Sequence, residues 1–132
     1  MMNDCDKAPP AQVCLAERTM GIAFDELLDR CLGNLAFAER ILASFEQRVA
    51  PDLAEIGAAL DADDHARAAR LAHQLRGSAA NASAGPIEAL CGELEQFARR
   101  EDLNAARRCL LRLDDQWQQF REARAELLRS RA

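Results

Sequence analysis

An all-α fold, an antiparallel four-helix bundle with one or two short N-terminal helices, is predicted by three features of the 132-residue sequence. Glycine and proline are scarce, at 6 and 4 residues, so few breakers interrupt the chain. Apolar residues recur at three- and four-residue steps over several long stretches, which places them on one face of a helix. No stretch alternates apolar and polar residues over the length of a strand.

Residues 1–10 are polar, end in Pro9-Pro10 and are expected to form a disordered tail, with residues 11–132 making one helical-bundle domain. Ala11 to Met20 suits a short amphipathic helix before Gly21. A stronger pattern begins with Phe24, Leu27, Leu28 and Leu32, and Gly33 is its C-terminal stop. Asn34 is placed to cap the following helix.

From Leu35, the positions Ala38, Ile41, Leu42, Phe45, Val49, Leu53, Ile56 and Leu60 form one stripe. Ala50-Pro51 interrupts it. Proline lacks a backbone donor and clashes with a carbonyl one turn earlier, so a kink or brief break is expected there. Asp61-Ala62-Asp63-Asp64 supplies capping carboxylates for the next helix, which runs to about Ala82. Gly85-Pro86 ends that helix and begins another, with Pro86 at a first helical position and Glu88 favoured by the helix dipole. This helix buries Ile87, Leu90, Cys91, Leu94, Phe97 and Ala98 and stops near Arg99-Arg100-Glu101. Asp102 caps the last helix, whose seam of Leu103, Ala106, Leu110, Leu113, Trp117, Phe120 and Leu127 is broken only at Arg124.

Charge narrows the partners. With 17 Lys+Arg against 22 Asp+Glu the net charge is −5, which argues against duplex nucleic acid. With no Tyr, one Trp and five Phe, stacking platforms for single strands are few as well. The five cysteines, Cys5, Cys14, Cys31, Cys91 and Cys109, show no metal-knuckle or C-x-x-C spacing and read as reduced, mostly buried thiols. No apolar run reaches membrane-span length and the N-terminus lacks signal-peptide character, so a cytoplasmic protein with no membrane role is expected.

The helix that follows Asp64 carries the most informative face. At roughly 100° per residue, Ala68, Leu71, Ala72, Leu75, Ala79 and Ala82 fall within about 100° of one another and form the core arc. His73 lies about 150° from the centre of that arc and faces water. Around it stand Ala66, Ala69, Gly77 and Ala80, flanked by Arg70 and Arg76. A solvated helix face normally carries long polar side chains, and this one is bare. Glycine within a helix costs about 1 kcal/mol relative to alanine, so Gly77 needs a reason. Either a macromolecule must come within bonding distance of the imidazole, or Gly77 admits a neighbouring helix of the bundle.

An exposed imidazole can be a nucleophile, a metal ligand or an ordinary surface group. A nucleophilic imidazole must be neutral, and histidine's ordinary pKa of about 6.5 makes that form abundant near pH 7. Arg76, one turn on, can donate to the oxygens of a transferring phosphoryl group. His65 stands at the start of the same helix, about 80° away on the wheel, and reads as a first-turn surface residue. Asp61, Asp63 and Asp64 read as caps, since no EF-hand spacing is present after them.

The run His73-Gln74-Leu75-Arg76-Gly77-Ser78-Ala79-Ala80-Asn81 resembles the phosphorylation motif of histidine-containing phosphotransfer (HPt) domains, His-x-Leu-Lys-Gly-Ser followed by small residues. The likeness extends through Leu90-Cys91 and Leu94-Glu95, and upstream through Phe24-Asp25-Glu26-Leu27-Leu28, Phe45 and Leu60, so it covers residues 24 to about 122. It implies a phosphorelay intermediate that accepts a phosphoryl group on His73 from a receiver-domain phospho-aspartate and passes it to another receiver. Its partners would be response-regulator receiver domains and a hybrid sensor kinase. By this resemblance Arg76 takes the place of the family lysine and Gly77 keeps the approach clear. Glu95 and Arg99 fall where the family often places polar residues beside the histidine. Glu95 then orients the other ring nitrogen, or it is a surface carboxylate paired with Arg99 at i,i+4 spacing.

The bare face of Ala66, Ala69, Gly77 and Ala80, with Arg70 at its border, is expected to form the docking surface for the receiver partner. Ala82-Ser83-Ala84 followed by Gly85-Pro86 departs from the family's usual Leu-Gly-Ala. No nucleotide loop, kinase block or acidic receiver pocket is present, so the chain is a phosphotransfer protein with no kinase activity of its own. No cofactor is expected, the divalent metal being supplied by the receiver partner. Met1 and the short polar tail suggest a free-standing module of the bacterial type, expected to be a monomer. Two rivals remain: a metal-binding bundle using His65, His73 and cysteines, and an adaptor that docks a kinase or receiver without transfer.

Overall fold

The computed structural model describes residues 24–131, so the tail at 1–10 and the helix expected at Ala11 to Met20 lie outside the described residues. Among the described residues five helices occur in order: α1 Phe24–Arg30, α2 Leu35–Asp61, α3 His65–Asn81, α4 Gly85–Arg99 and α5 Leu103–Arg131. No strand occurs among the described residues, and the four long helices form the expected bundle. Opposed ends mark α2 and α5 as antiparallel, since Arg107 meets Asp61 at 3.0 Å while Arg124 meets Glu39 at 2.7 Å.

The helices differ in length, and this shapes the core. At about 1.5 Å per residue, the 27 residues of α2 and 29 of α5 span about 40 Å, whereas the 17 of α3 and 15 of α4 span about 25 Å or less. The α3–α4 hairpin therefore covers little more than half of the two long helices. Level with the end of α3, where Phe45 lies beside Ser78 and Asn81, Phe45, Trp117 and Phe120 cluster with ring centroids 5.3 to 6.2 Å apart. Phe24 and Leu27 of α1 join the same core. Arg30 then ties α1 to the end of α3, donating to the Ala80 carbonyl at 3.2 Å and to Ser83 Oγ at 2.8 Å.

All four turns use one device. Each has a non-glycine residue at positive φ, namely Leu32 at 56°, Asp63 at 59°, Ser83 at 56° and Glu101 at 59°. In each, the next amide donates back five residues: Gly33 to Leu28 at 2.9 Å, Asp64 to Ala59 at 2.8 Å, Ala84 to Ala79 at 2.9 Å and Asp102 to Phe97 at 3.0 Å. These are Schellman stops, which close a helix by satisfying its last carbonyls. Asn34, Asp64 and Asp102 then cap the following helices, their side chains accepting from the Phe37, Arg67 and Ala105 amides at 3.0, 3.2 and 3.2 Å.

Several expectations change. Leu32 is not a core residue but 94% exposed, because it occupies the left-handed position of the first stop, next to Gly33 at φ 78°. Leu35 is also largely exposed, since it lies at the first turn of α2, beyond the packed stripe. The stop after α3 is Ser83, not Gly85, and Pro86 is the second residue of α4. No break occurs at Pro51: α2 runs through it, because Val49, Leu53 and Ile56 are buried on both sides and outweigh one lost hydrogen bond. Arg124 does not break the seam of α5 but is buried within it, with Nη1 2.7 Å from Glu39 Oε1 and Nε 3.4 Å from Glu46 Oε2.

Cys31, Cys91 and Cys109 are free and buried, as expected, while Cys5 and Cys14 lie outside the described residues. Burial pushes the Cys91 thiol up to about 12 and the Cys109 thiol up to about 11, so both pack as neutral, small apolar groups.

Candidate functional site

The site begins with the alanines of α3. Ala68, Ala72 and Ala79 are fully buried and Ala69 nearly so, and such small side chains let neighbouring helices come close. The arc they form is wider than one bundle seam because α3 packs against both α2 and α4. This corrects the position of Ala69, expected on the open face but only 3% exposed beside Ala98 and Arg99 of α4. Ala66, Arg70 and Gly77 are exposed, and Ala80 is half-buried beneath the Arg30 contact.

His73 projects from this face with its side chain 66% exposed. Close approach of α4 brings Glu95 to it, with Oε1 3.2 Å from Nδ1. Glu95 is buried, at 5% exposure, and so is not a surface carboxylate. It does pair with Arg99 at i,i+4, and both Nε and Nη2 of Arg99 donate to Oε2, at 3.2 and 2.7 Å. Arg76 Nη1 reaches Oε1 at 3.5 Å. One buried carboxylate thus joins three nitrogen-bearing side chains from two helices.

The electrostatics derive from these contacts. Hydrogen bonding from Arg99 holds the Glu95 carboxyl below its usual range against the opposing effect of burial, and the His73 hydrogen bond and the nearby charges add to it. Glu95 is therefore ionised at neutral pH and can only accept hydrogen bonds. His73 Nδ1 must then be the donor, so in the neutral imidazole Nε2 carries the free lone pair. The arrangement presents a nucleophilic nitrogen at the surface, with its tautomer set from inside the bundle.

Gly77 has open space around it. A Cβ built there would meet nothing within 4 Å, so the glycine admits no neighbouring helix and opens the surface one turn beyond His73. On the other side, a groove of about 550 Å³ runs past His73 between α3 and α4, lined in part by Ala66, Arg70 and Arg99. His65 lines it too and corrects another expectation. Its side chain is only 16% exposed, with Nε2 3.7 Å from Asp63 Oδ1 and Nδ1 enclosed without a partner, because the first turn of α3 tucks under the end of α4.

The burial of Glu95 was readable in register. It stands four residues after Cys91 and eight after Ile87, on a face whose other members are core. Gly92, which lies against Arg76, carried no such signal. Among the described residues no group of three or more His, Cys, Asp or Glu could hold a metal ion, and no helix is long and apolar enough to cross a membrane.

A family model for the Hpt domain matches residues 40–123, from the first turns of α2 to the C-terminal half of α5. No curated protein and no solved structure matches the chain.

Proposed function

The chain belongs to the Hpt domain family, whose members carry out histidine phosphotransfer in phosphorelay signalling, and from that premise we propose that His73 is its phosphoacceptor. The phosphoryl group arrives from a phospho-aspartate of one receiver domain and leaves to the aspartate of another. A hybrid sensor kinase stands upstream, and the chain acts as a monomer. The observation that carries this reading is the contact of buried Glu95 with Nδ1 of an otherwise exposed imidazole, at 3.2 Å.

The chemistry balances without any proton transfer. The Nε2 lone pair attacks phosphorus in line with the aspartyl oxygen, the N–P bond forms as the P–O bond breaks, and the carboxylate departs. The ring becomes an Nε2-phosphorylated imidazolium that keeps its Nδ1 proton. Glu95, held ionised by Arg99, stabilises that positive ring. Return of the phosphoryl group to a second carboxylate regenerates the neutral imidazole, so the same geometry serves both directions. Arg76 faces the incoming phosphoryl oxygens from one turn along α3, and Arg99 holds Glu95. The receiver supplies the divalent cation that assists transfer.

Docking uses the open face. Ala66, Gly77 and Ala80 present little side chain, and Arg70 borders the groove beside His73. The test is transfer from a panel of receivers charged with acetyl phosphate. The expected result is an acid-labile, base-stable label on the parent and on His65→Gln, and none on His73→Gln. Label retained in His73→Gln would sink the assignment, and binding without any label would favour the adaptor.

A further inference from the structure

Gly92 sits in the middle of α4 (Gly85–Arg99), where glycine disfavours the helix relative to alanine. The three atoms nearest to a Cβ built on it all belong to Arg76: Cδ at 3.8 Å, Nη1 at 3.8 Å and Nε at 4.0 Å. The guanidinium therefore lies along the bare backbone of α4, and its Nη1 continues to Glu95 Oε1 at 3.5 Å, one turn further on. Gly77 faces open space by comparison, so the two glycines near His73 serve different purposes.

We infer that Gly92 is a positioning residue for Arg76: the missing side chain on α4 is the seat on which the guanidinium lies flat beside His73. The distances set a size limit. A single methyl group would stand in ordinary van der Waals contact with Arg76, whereas a longer side chain has to share the volume that its Cδ and guanidinium occupy. The seat also suits arginine over lysine. A planar guanidinium can rest on a backbone and donate along its edge to Glu95, while an ammonium on a flexible stem has no face to rest on. Arg76 is 46% exposed, so without the seat nothing else in these contacts keeps it from turning to solvent except one long hydrogen bond to Glu95.

This inference rests on the reading of His73 as phosphoacceptor, and the experiment separates the two. In the unphosphorylated protein, the Nε–H signal of Arg76 in nitrogen-15 NMR reads its immobilisation directly. We expect a distinct, exchange-protected signal in the parent and in Gly92→Ala, and collapse to the position of a free arginine in Gly92→Gln and Gly92→Lys. His73 is then labelled with phosphoramidate, a small phosphoryl donor, and the lifetime of the label is followed. Gly92→Gln and Arg76→Ala should each shorten that lifetime by about three- to fivefold, the range for a partly exposed ion pair, and the double variant should lose nothing further.

Ala89→Gln on an exposed position of the same helix is the control, and circular dichroism checks each fold. An unchanged Arg76 signal in a folded Gly92→Gln or Gly92→Lys protein would overturn the inference, as would additive losses in the double variant. A parent that takes no label on His73 would overturn the phosphoacceptor reading instead, and the Arg76 signal would still decide the role of Gly92.

Discussion

Arg99 Nη2 stands 2.7 Å from Glu95 Oε2, on the carboxylate oxygen opposite the one that meets His73. The two oxygens thus have separate tasks. Two donors of Arg99 converge on Oε2 and hold the carboxylate in place, which leaves Oε1 to accept from the imidazole and from Arg76. Exposure divides the same way, since the imidazole is open to a partner and the carboxylate that orients it is not.

Glu95→Ala is expected to slow transfer by about tenfold while His73 remains reactive, because the ring loses the acceptor that selects its tautomer. Rapid-quench transfer measures the rate, and nitrogen-15 shifts of the imidazole report the tautomer. A parental rate together with a parental tautomer in Glu95→Ala would show that the contact has no orienting role.

The same carboxylate gives the fold an acid dependence. Its folded pKa lies below the ordinary 4.5, so its stabilising contribution is fully present above about 4.5 and is lost as pH falls through the lower folded value. Urea unfolding between pH 6 and 3 should therefore show an acid decline that is shallower in Glu95→Gln than in the parent. Equal slopes would remove Glu95 from the account.

Arg76 separates attraction from geometry. Arg76→Ala should slow transfer by one to two orders of magnitude, roughly the effect of losing a charge-assisted hydrogen bond to the phosphoryl group. Arg76→Lys should recover only part of the rate, since a point charge still reaches a single phosphoryl group but has no planar face to rest on at Gly92. If Arg76→Ala transfers at the parental rate, the phosphate partner has to be sought elsewhere, with Arg99 the first candidate.

Gly77→Gln tests the open surface. Because nothing lies within 4 Å of the built Cβ, the variant should fold and gain up to about 1 kcal/mol of stability, while receiver docking weakens. Thermal melts and titration of a receiver give the two readouts. Undiminished docking would assign the bare patch another purpose.

Leu32 offers a stability test away from the site. Its left-handed backbone and 94% exposure mean that Leu32→Gly removes strain without removing packing, and a gain of about 0.5–1 kcal/mol is expected by chemical denaturation. A loss would mean that the contacts of the Leu32 side chain outweigh the strain of its backbone.

Periodicity and capping chemistry are local properties, and the sequence by itself determined the features built on them: the long helices, the caps at Asn34, Asp64 and Asp102, and the outward face of His73. A helical wheel reads such features because 3.6 residues per turn fixes which side chains share a face. Which faces then meet is not a local property. Ala69 turned inward because α3 contacts two helices, and α2 continued through Pro51 because burial on both sides outweighed one hydrogen bond. Arg124 could enter the seam because Glu39 and Glu46 wait across it on α2. At the site, His73 and Arg76 were legible as neighbours on one helix, whereas the carboxylate 22 residues on and the glycine beneath Arg76 acquired their places only when α4 packed against α3. Spacing along one helix is set by its own hydrogen bonds, but distances across two helices are set by the size of the side chains between them, and here the alanines of α3 decided those distances.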